Sequence, residues 1–220
     1  MENYRRILNV LRSAPRHPDV TPIEPQGHEA LSFFPGQRGF VGASFPIGGV
    51  MLVANNYDNL QGWRKYKADL SAVDKSKSFK KLTEVILPAA QVPIEECWLT
   101  NYALGVMDKP TSQYKFPRDV RDHLTLAEKI EEFVSIMQPR LIVAMGGDAQ
   151  SYLRVRRGEV VDLFGTKAIA IWHPGRFHKS DADLEAEGAR IREALEIRVA
   201  MRPRTPASQA CSLPGSSPQV

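Results

Sequence analysis

A length of 220 residues predicts one domain in preference to two full domains. A composition of 43% hydrophobic and 25% charged residues is typical of a globular protein. The formal net charge of +4 is too small to indicate a nucleic-acid partner by itself. Two cysteines exclude a disulfide framework and a four-cysteine metal site. No apolar run approaches the roughly 18 residues that cross a bilayer, and the start MENYRRILNV is too charged for a signal peptide. We therefore expect a cytoplasmic protein with no membrane partner and no metal.

Helical and extended patterns alternate along the chain. ENYRRILNVLRS has apolar residues at helical spacing and predicts an opening amphipathic helix, whereas the Pro- and Gly-rich passage 15–49 predicts an irregular loop. Four short apolar runs then predict strands, namely VMLVA from Val50, CWLT from Cys97, RLIVAM from Arg140 and AIAIW from Ala168. Such near-continuous apolar strands indicate a sheet that is covered on both faces.

Helical patterns lie between and after these strands. TLAEKIEEFVSIMQP carries a capping box at Thr125 and Glu128, and Pro139 marks its exit. A last helix is expected over about 181–200. The alternation predicts an α/β fold, specifically a three-layer α/β/α sandwich around a mainly parallel four-stranded sheet, in a single domain over residues 1–200. Residues 201–220 lack periodicity and predict a disordered tail.

Polar residues gather where the predicted strands end. Ligands of parallel α/β sheets bind beyond the carboxyl ends of the strands, so these positions indicate where a site would lie. Taken singly, Asn, Asp and Gly at a strand end are more often turn formers than functional groups. The four exits carry Asn55, Asn56, Tyr57 and Asp58; Thr100, Asn101 and Tyr102; Gly146, Gly147 and Asp148; and His173, Pro174, Gly175 and Arg176.

The order of these motifs resembles the uracil-DNA glycosylase superfamily. The resemblance covers about residues 48–179 and is carried by the amide-bearing loop ANNYD, a strand ending in TN, the passage QPRLIVAMGGDA, and WHPGRF. It implies a parallel four-stranded sandwich that flips uracil or a related deaminated base out of DNA and hydrolyses its N-glycosidic bond in base-excision repair. It also implies a monomer that needs no cofactor, with DNA and the flipped uracil-like base as partners.

The chain departs from the family pattern in two motifs. The first motif normally begins with Gly and has Pro after its catalytic residue, whereas this chain has Ala54 and Tyr57. The last motif is normally His-Pro-Ser, but Gly175 stands in the third position. Two alternatives therefore stay open: a glycosylase-fold protein that binds nucleic acid without catalysis, and an unrelated α/β protein that binds a nucleotide or another small molecule.

The resemblance assigns chemical roles to three residues. His173 would donate a hydrogen bond to the uracil O2 as negative charge develops there, for which a neutral imidazole suffices. Asn56 would orient the attacking water, because an amide cannot act as a general base. Asn101 would read the base by accepting from N3–H and donating to O4. We expect Asn56 and His173 to follow adjacent strands, with Asn101 facing the same pocket.

Further residues are expected to hold the base and the DNA. Tyr57 and Trp63 are candidates for the aromatic platform under a flipped base, and Asn55 and Asp58 complete the predicted substrate-binding set. From Trp63 to Lys81 there are seven Lys or Arg against two Asp, which indicates either phosphate contacts or a solvated basic face. The predicted DNA-binding residues after His173 are Arg176, Phe177 as an apolar wedge, and Lys179.

Overall fold

The structure is a computed structural model that describes residues 2–13, 20–22, 47–54, 61, 64, 76–102, 105–107, 127–175 and 179–197. Its strands are β1 (Val20–Pro22), β2 (Val50–Ala54), β3 (Cys97–Asn101), β4 (Gly105–Met107), β5 (Leu141–Met145), β6 (Val161–Leu163) and β7 (Thr166–Ile171). Its α-helices are α1 (Glu2–Arg12), α2 (Lys77–Lys81), α3 (Leu87–Ala90), α4 (Ala127–Met137), α5 (Gly147–Leu153) and α6 (Asp181–Glu196). A π-helical turn, Leu82–Ile86, joins α2 to α3, and a 3₁₀ turn, Ile94–Glu96, precedes β3.

The main sheet has the strand order β3-β2-β5-β7-β6. The four predicted strands are confirmed as β2, β3, β5 and β7, and they pair in parallel, with Val50 of β2 opposite Cys97 and Leu141. The fifth strand, β6, pairs antiparallel with β7. The α/β class is therefore correct, whereas the four-stranded, mainly parallel sheet is corrected to a mixed sheet of five strands.

The extra strand comes from a short hairpin between β6 and β7. Its two turn residues, Phe164 and Gly165, have φ values of 54° and 77°, which is the backbone of a tight hairpin turn. The Asp162 carboxylate accepts a hydrogen bond from the Gly165 N–H at 3.0 Å. The turn sequence is Phe-Gly and not the Asn-Gly that usually indicates such a hairpin. The sequence therefore does not predict β6.

Helices cover both faces of the sheet, because successive strand side chains point to opposite sides. On one face, Met51, Trp98 and Ile142 pack with apolar residues of α1, α4 and α5. On the other face, Leu52, Val143 and their neighbours pack with the π-helical turn, α3 and α6. The two buried clusters hold the parallel strands between two helical layers, so their carboxyl ends form one edge of the sheet.

The helical predictions are confirmed with corrected boundaries. The opening helix is α1, and the second pattern is α4, which ends at Met137 before the left-handed Gln138 (φ 47°). The last helix begins at Asp181 with a capping box from Ser180 and Asp183, but it ends at Glu196 instead of 200. Lys167 caps this end, because its ammonium donates to the carbonyl oxygens of residues 194, 195 and 197.

Two elements differ from the sequence predictions, and two predicted features lie outside the described residues. The helical stretch 77–90 was not predicted, and the 15–49 passage contains β1, which pairs antiparallel with β4 in a separate two-stranded sheet. Thr125 and residues 198–220, including the predicted tail, lie outside the described residues. None of the helices in the described ranges is long and apolar enough to cross a membrane.

Candidate functional site

Two of the predicted site residues lie at the carboxyl edge of the parallel strands. Asn101 is the last residue of β3, and His173 lies two residues beyond the end of β7. The strand order places β5 between β2 and β7. The expectation that the Asn56 loop and His173 follow adjacent strands is therefore wrong, because the β5 exit at Gly146 separates them.

The described part of the site comprises Asn101, His173 and Lys179. The other predicted site residues lie outside the described residues: Asn55, Asn56, Tyr57, Asp58, Trp63, Arg176 and Phe177.

The end of β7 is fixed by hydrogen bonds from the β5–α5 turn. The carbonyl oxygen of Ile171 accepts from the Gly146 N–H at 3.0 Å and from the Gln150 side-chain amide at 2.6 Å. Gly146 has a φ of 91°, and a Cβ at this position would lie 3.0 Å from the Cβ of His173. The glycine therefore lets the turn pack directly against His173, which a larger residue would displace.

The hydrogen bonding of His173 selects one tautomer. Its Nδ1 accepts from the Gly175 N–H at 3.1 Å, and a backbone amide can only donate. A neutral imidazole with Nδ1 so occupied carries its proton on Nε2. Burial lowers the pKa of His173 below its ordinary value of 6.5. At neutral pH, His173 is thus an uncharged imidazole with an Nε2–H donor.

A short basic helix lies against the His173 turn. Ser78 of α2 contacts Gly175 so closely that a Cβ at 175 would collide with the Ser78 hydroxyl oxygen. Ser76 starts this helix, its hydroxyl accepting from the Phe79 N–H at 3.2 Å. The carboxyl end of the basic run, which includes exposed Lys80, therefore reaches the turn that carries His173.

An aromatic ring beside His173 is contacted by two cations. The Lys179 ammonium lies 3.1 Å from the centroid of the Trp172 ring, and the Arg157 guanidinium carbon lies 3.6 Å from it. Arg157 also donates from Nε to the buried Glu187 carboxylate at 3.1 Å. Sequence reasoning missed Arg157 and Glu187, because only the folded chain brings residue 157 alongside β7, through an isolated parallel bridge to Ala170.

Asn101 supplies a buried amide on the other side of β2. Only 5% of the residue is exposed, and it pairs in register with Ala54, the last residue of β2. The Tyr102 N–H donates to the Ala54 carbonyl oxygen at 3.0 Å, which joins the ends of the two strands. The chain therefore leaves β2 for the ANNYD loop directly beside Asn101.

The described groups can orient and polarise a planar polar ligand. Asn101 presents both a donor and an acceptor, whereas neutral His173 can donate from Nε2 to an oxygen that gains negative charge. Among the described residues no three His, Cys, Asp or Glu form a group that could hold a metal ion.

Comparison with known proteins finds no family model and no curated protein that matches this chain.

Proposed function

We propose that the chain is a DNA glycosylase that hydrolyses the N-glycosidic bond of uracil, or of a related deaminated base, as in base-excision repair. The observation that carries this proposal is the state of His173. Its WHPGRF motif follows β7, and its Nδ1 is occupied by the Gly175 N–H, which leaves an Nε2–H donor at the carboxyl edge. We assign the four parallel strands and their two helical layers to the glycosylase sandwich, with β6 as an added edge strand.

The reaction requires a group that stabilises a departing anion. The C1′–N1 bond breaks, its electron pair leaves with the base, and the sugar becomes cation-like before water adds its oxygen to C1′. His173 donates from Nε2 to the base O2, where part of the negative charge accumulates. Asn56 orients the water, whose released proton neutralises the base anion or passes to solvent.

Base recognition is assigned to the amide at the end of β3. Asn101 accepts from N3–H and donates to O4 of uracil, whereas cytosine presents an acceptor at N3 and a donor at N4. The burial of Asn101 supports this role, because a buried amide left unpaired by the wrong base costs free energy. We assign Asn55 and Asp58 to the same binding site, and Tyr57 or Trp63 to the stack on the base.

The DNA backbone is assigned to the basic groups around His173. Helix α2, which carries the exposed Lys80, contacts the His173 turn through Ser78, and Lys179 follows the turn in sequence. Arg176 would add a phosphate contact, and Phe177 would fill the space of the flipped base. These basic groups would hold phosphates near the His173 turn.

A non-catalytic nucleic-acid-binding protein is the second candidate. The observations that favour it are the departures from the family motifs, Ala54 and Tyr57 in the first and Gly175 in the last. An unrelated α/β protein for a nucleotide or another small molecule would share the fold and none of the DNA chemistry.

Single-turnover cleavage of uracil-containing DNA tests these candidates. Labelled single strands and U·G or U·A duplexes are incubated with the protein, and alkali converts each abasic site into a strand break. We expect cleavage that falls on the order of 10²-fold in His173→Ala, the scale of a lost donor to developing charge. His123→Ala, the same change outside the motif, is the control. Binding without base release in every strand context favours the non-catalytic candidate, and absence of both favours the unrelated one.

A further inference from the structure

A fully buried carboxylate pairs with the arginine that contacts Trp172, the residue before His173. Glu187 of α6 is 0% exposed, and its Oε1 accepts hydrogen bonds from Nε of Arg157 at 3.1 Å and from Nη2 of the same guanidinium. Its Oε2 has no hydrogen-bond partner within the described part of the chain. Because a buried carboxylate without its cation is strongly unfavourable, the pair fixes the guanidinium in place.

The same guanidinium lies on the Trp172 ring. Its carbon is 3.6 Å from the ring centroid, and backbone pairing of Arg157 with Ala170 holds the residue beside β7. A planar guanidinium can stack on an aromatic face while it donates from its edge to a carboxylate. A lysine ammonium lacks this combination, so the geometry is specific to arginine.

Trp172 is the one residue between the hydrogen-bonded end of β7 and His173. The Ile171 carbonyl is held by Gly146 and Gln150, and the imidazole is held by the Gly175 N–H. The conformation of the intervening residue therefore sets where the imidazole lies relative to the carboxyl edge. A displacement of about 1 Å of a catalytic group can cost about 10²-fold in rate.

We propose that Glu187 and Arg157 are positioning residues, which hold the Trp172 ring and thereby place the Nε2–H of His173 toward the substrate. The catalytic consequence rests on the proposed function. The positioning is independent of that function, because the orientation of the imidazole can be measured in the protein without DNA.

Arg157→Lys is the sharpest variant, because it keeps the charge and the pairing with Glu187 but loses the planar stack. The ring ¹⁵N shifts of His173 report which nitrogen carries the proton, and the Gly175 amide shift reports its hydrogen bond to Nδ1. We expect the wild type to show protonated Nε2, and Arg157→Lys to show mixed tautomers with a displaced Gly175 amide. Cleavage should fall about 10- to 100-fold while the affinity for DNA stays unchanged.

Four further variants separate positioning from stability. Trp172→Phe keeps an aromatic face and should retain most of the wild-type ring shifts, whereas Trp172→Leu should not. Ile191→Val removes a buried methylene from α6 and should lower the Tm without altering the His173 signals. Arg140 forms an exposed ion pair with Glu96 at the amino end of β5. Arg140→Lys should alter neither the Tm nor the His173 signals.

The proposal is overturned if Arg157→Lys leaves the His173 ring and Gly175 signals unchanged. Should that variant not fold, the comparison of Trp172→Phe with Trp172→Leu decides in the same way. A wild-type protein that releases no uracil rejects the proposed function, yet the ring shifts still test the positioning. The two failures are therefore distinguishable.

Discussion

The hydroxyl oxygen of Ser78 lies where the side chain of residue 175 would begin, so the two residues fit together because Gly175 has no Cβ. A Cβ at 175 would also lie 3.2 Å from Nδ1 and 3.3 Å from Cε1 of His173, closer than most such contacts. The glycine in the His-Pro-Gly motif thus has a structural cause. In this chain, the Ser78 hydroxyl of helix α2 lies in the space that the Cβ of a serine at position 175 would need.

Gly175→Ser should therefore disturb the site, although it creates the His-Pro-Ser tripeptide of the superfamily that the sequence resembles. Overpacking of this kind costs about 1–3 kcal/mol, and we expect a lower Tm together with a displaced His173 ring. Ser78→Ala removes the opposing hydroxyl and should by itself change little. The double variant Gly175→Ser/Ser78→Ala should recover more than half of the lost Tm. If the Tm change of the double variant equals the sum of the changes of the two single variants, the proposed contact is contradicted.

Cys97 should be unreactive in the native protein. The thiol is buried at the start of β3, and its burial, with a smaller contribution from Glu96, raises the pKa to about 12. Since the thiolate is the reactive form, and a pKa of about 12 leaves on the order of 10⁻⁴ of it at pH 8, reaction should require unfolding. A Cys211→Ser variant treated with a chromogenic disulfide reagent should react only as fast as it unfolds. Rapid native-state labelling would show that the thiol is accessible.

Lys167 should contribute to stability through the end of α6. Its ammonium donates to the carbonyl oxygens of Ala194, Leu195 and Ile197 at 2.6, 3.0 and 2.9 Å, where the helix leaves its carbonyls unpaired. Lys167→Met keeps the apolar stem and should lower the free energy of unfolding by about 1–2 kcal/mol. Lys129→Met, which removes a surface pair with Glu132, should cost about 0.5 kcal/mol or less. Equal urea midpoints for the two variants would reject the capping role.

The four parallel strands were predictable because they are buried on both faces and their apolar runs are nearly continuous. Val50–Ala54 and Leu141–Met145 show this pattern throughout. Strand β6 and helix α2 were not predictable in this way. The sequence VDL alternates weakly, and KSFKK has one buried residue, Phe79, so neither carries a strong periodicity.

The positions of Asn101 and His173 at the carboxyl ends of β3 and β7 were predictable, because both follow a nearly continuous apolar run. The supporting residues were not, because their roles depend on contacts between distant parts of the chain. Arg157 and Glu187 are 30 residues apart, and Ser78 meets Gly175 only after α2 packs against the His173 turn. Glu187 lies on the apolar face of its helix, between the buried Leu184 and Ile191, so the helical period marks its position as buried, whereas its pairing with Arg157 has no local signal.

Asn101→Asp should change which base is accepted. The carboxylate cannot donate to O4 of uracil, and it places a charge at a position that is only 5% exposed. We expect uracil cleavage to fall by about 10²-fold or more while nonspecific DNA affinity changes little. Competition between uracil- and cytosine-containing strands under single-turnover conditions measures the selectivity. An unchanged ratio would remove Asn101 from base recognition, and Thr100→Ser at the preceding buried position is the matched control.

The pH dependence of stability should reveal the neutral state of His173. Burial lowers the pKa in the folded chain below the ordinary 6.5, so between these two values the unfolded state binds more protons than the native state. The free energy of unfolding should therefore rise with pH up to about 6.5 and show no further contribution from His173 above it.

His173→Gln should remove this contribution, so its stability should rise less steeply with pH below 6.5 than that of the wild type. Curves of equal slope would show that His173 is not the source. Because the donor is the neutral imidazole, single-turnover cleavage should also show no titration of His173 between pH 6.5 and 8. An NMR titration of the His173 ring measures the pKa directly, with His123→Gln as the control for the remaining histidines. A measured pKa at or above 6.5 would show that burial does not lower it, and a value above neutral pH would leave the imidazole mostly protonated, so the neutral-donor mechanism would then have to be abandoned.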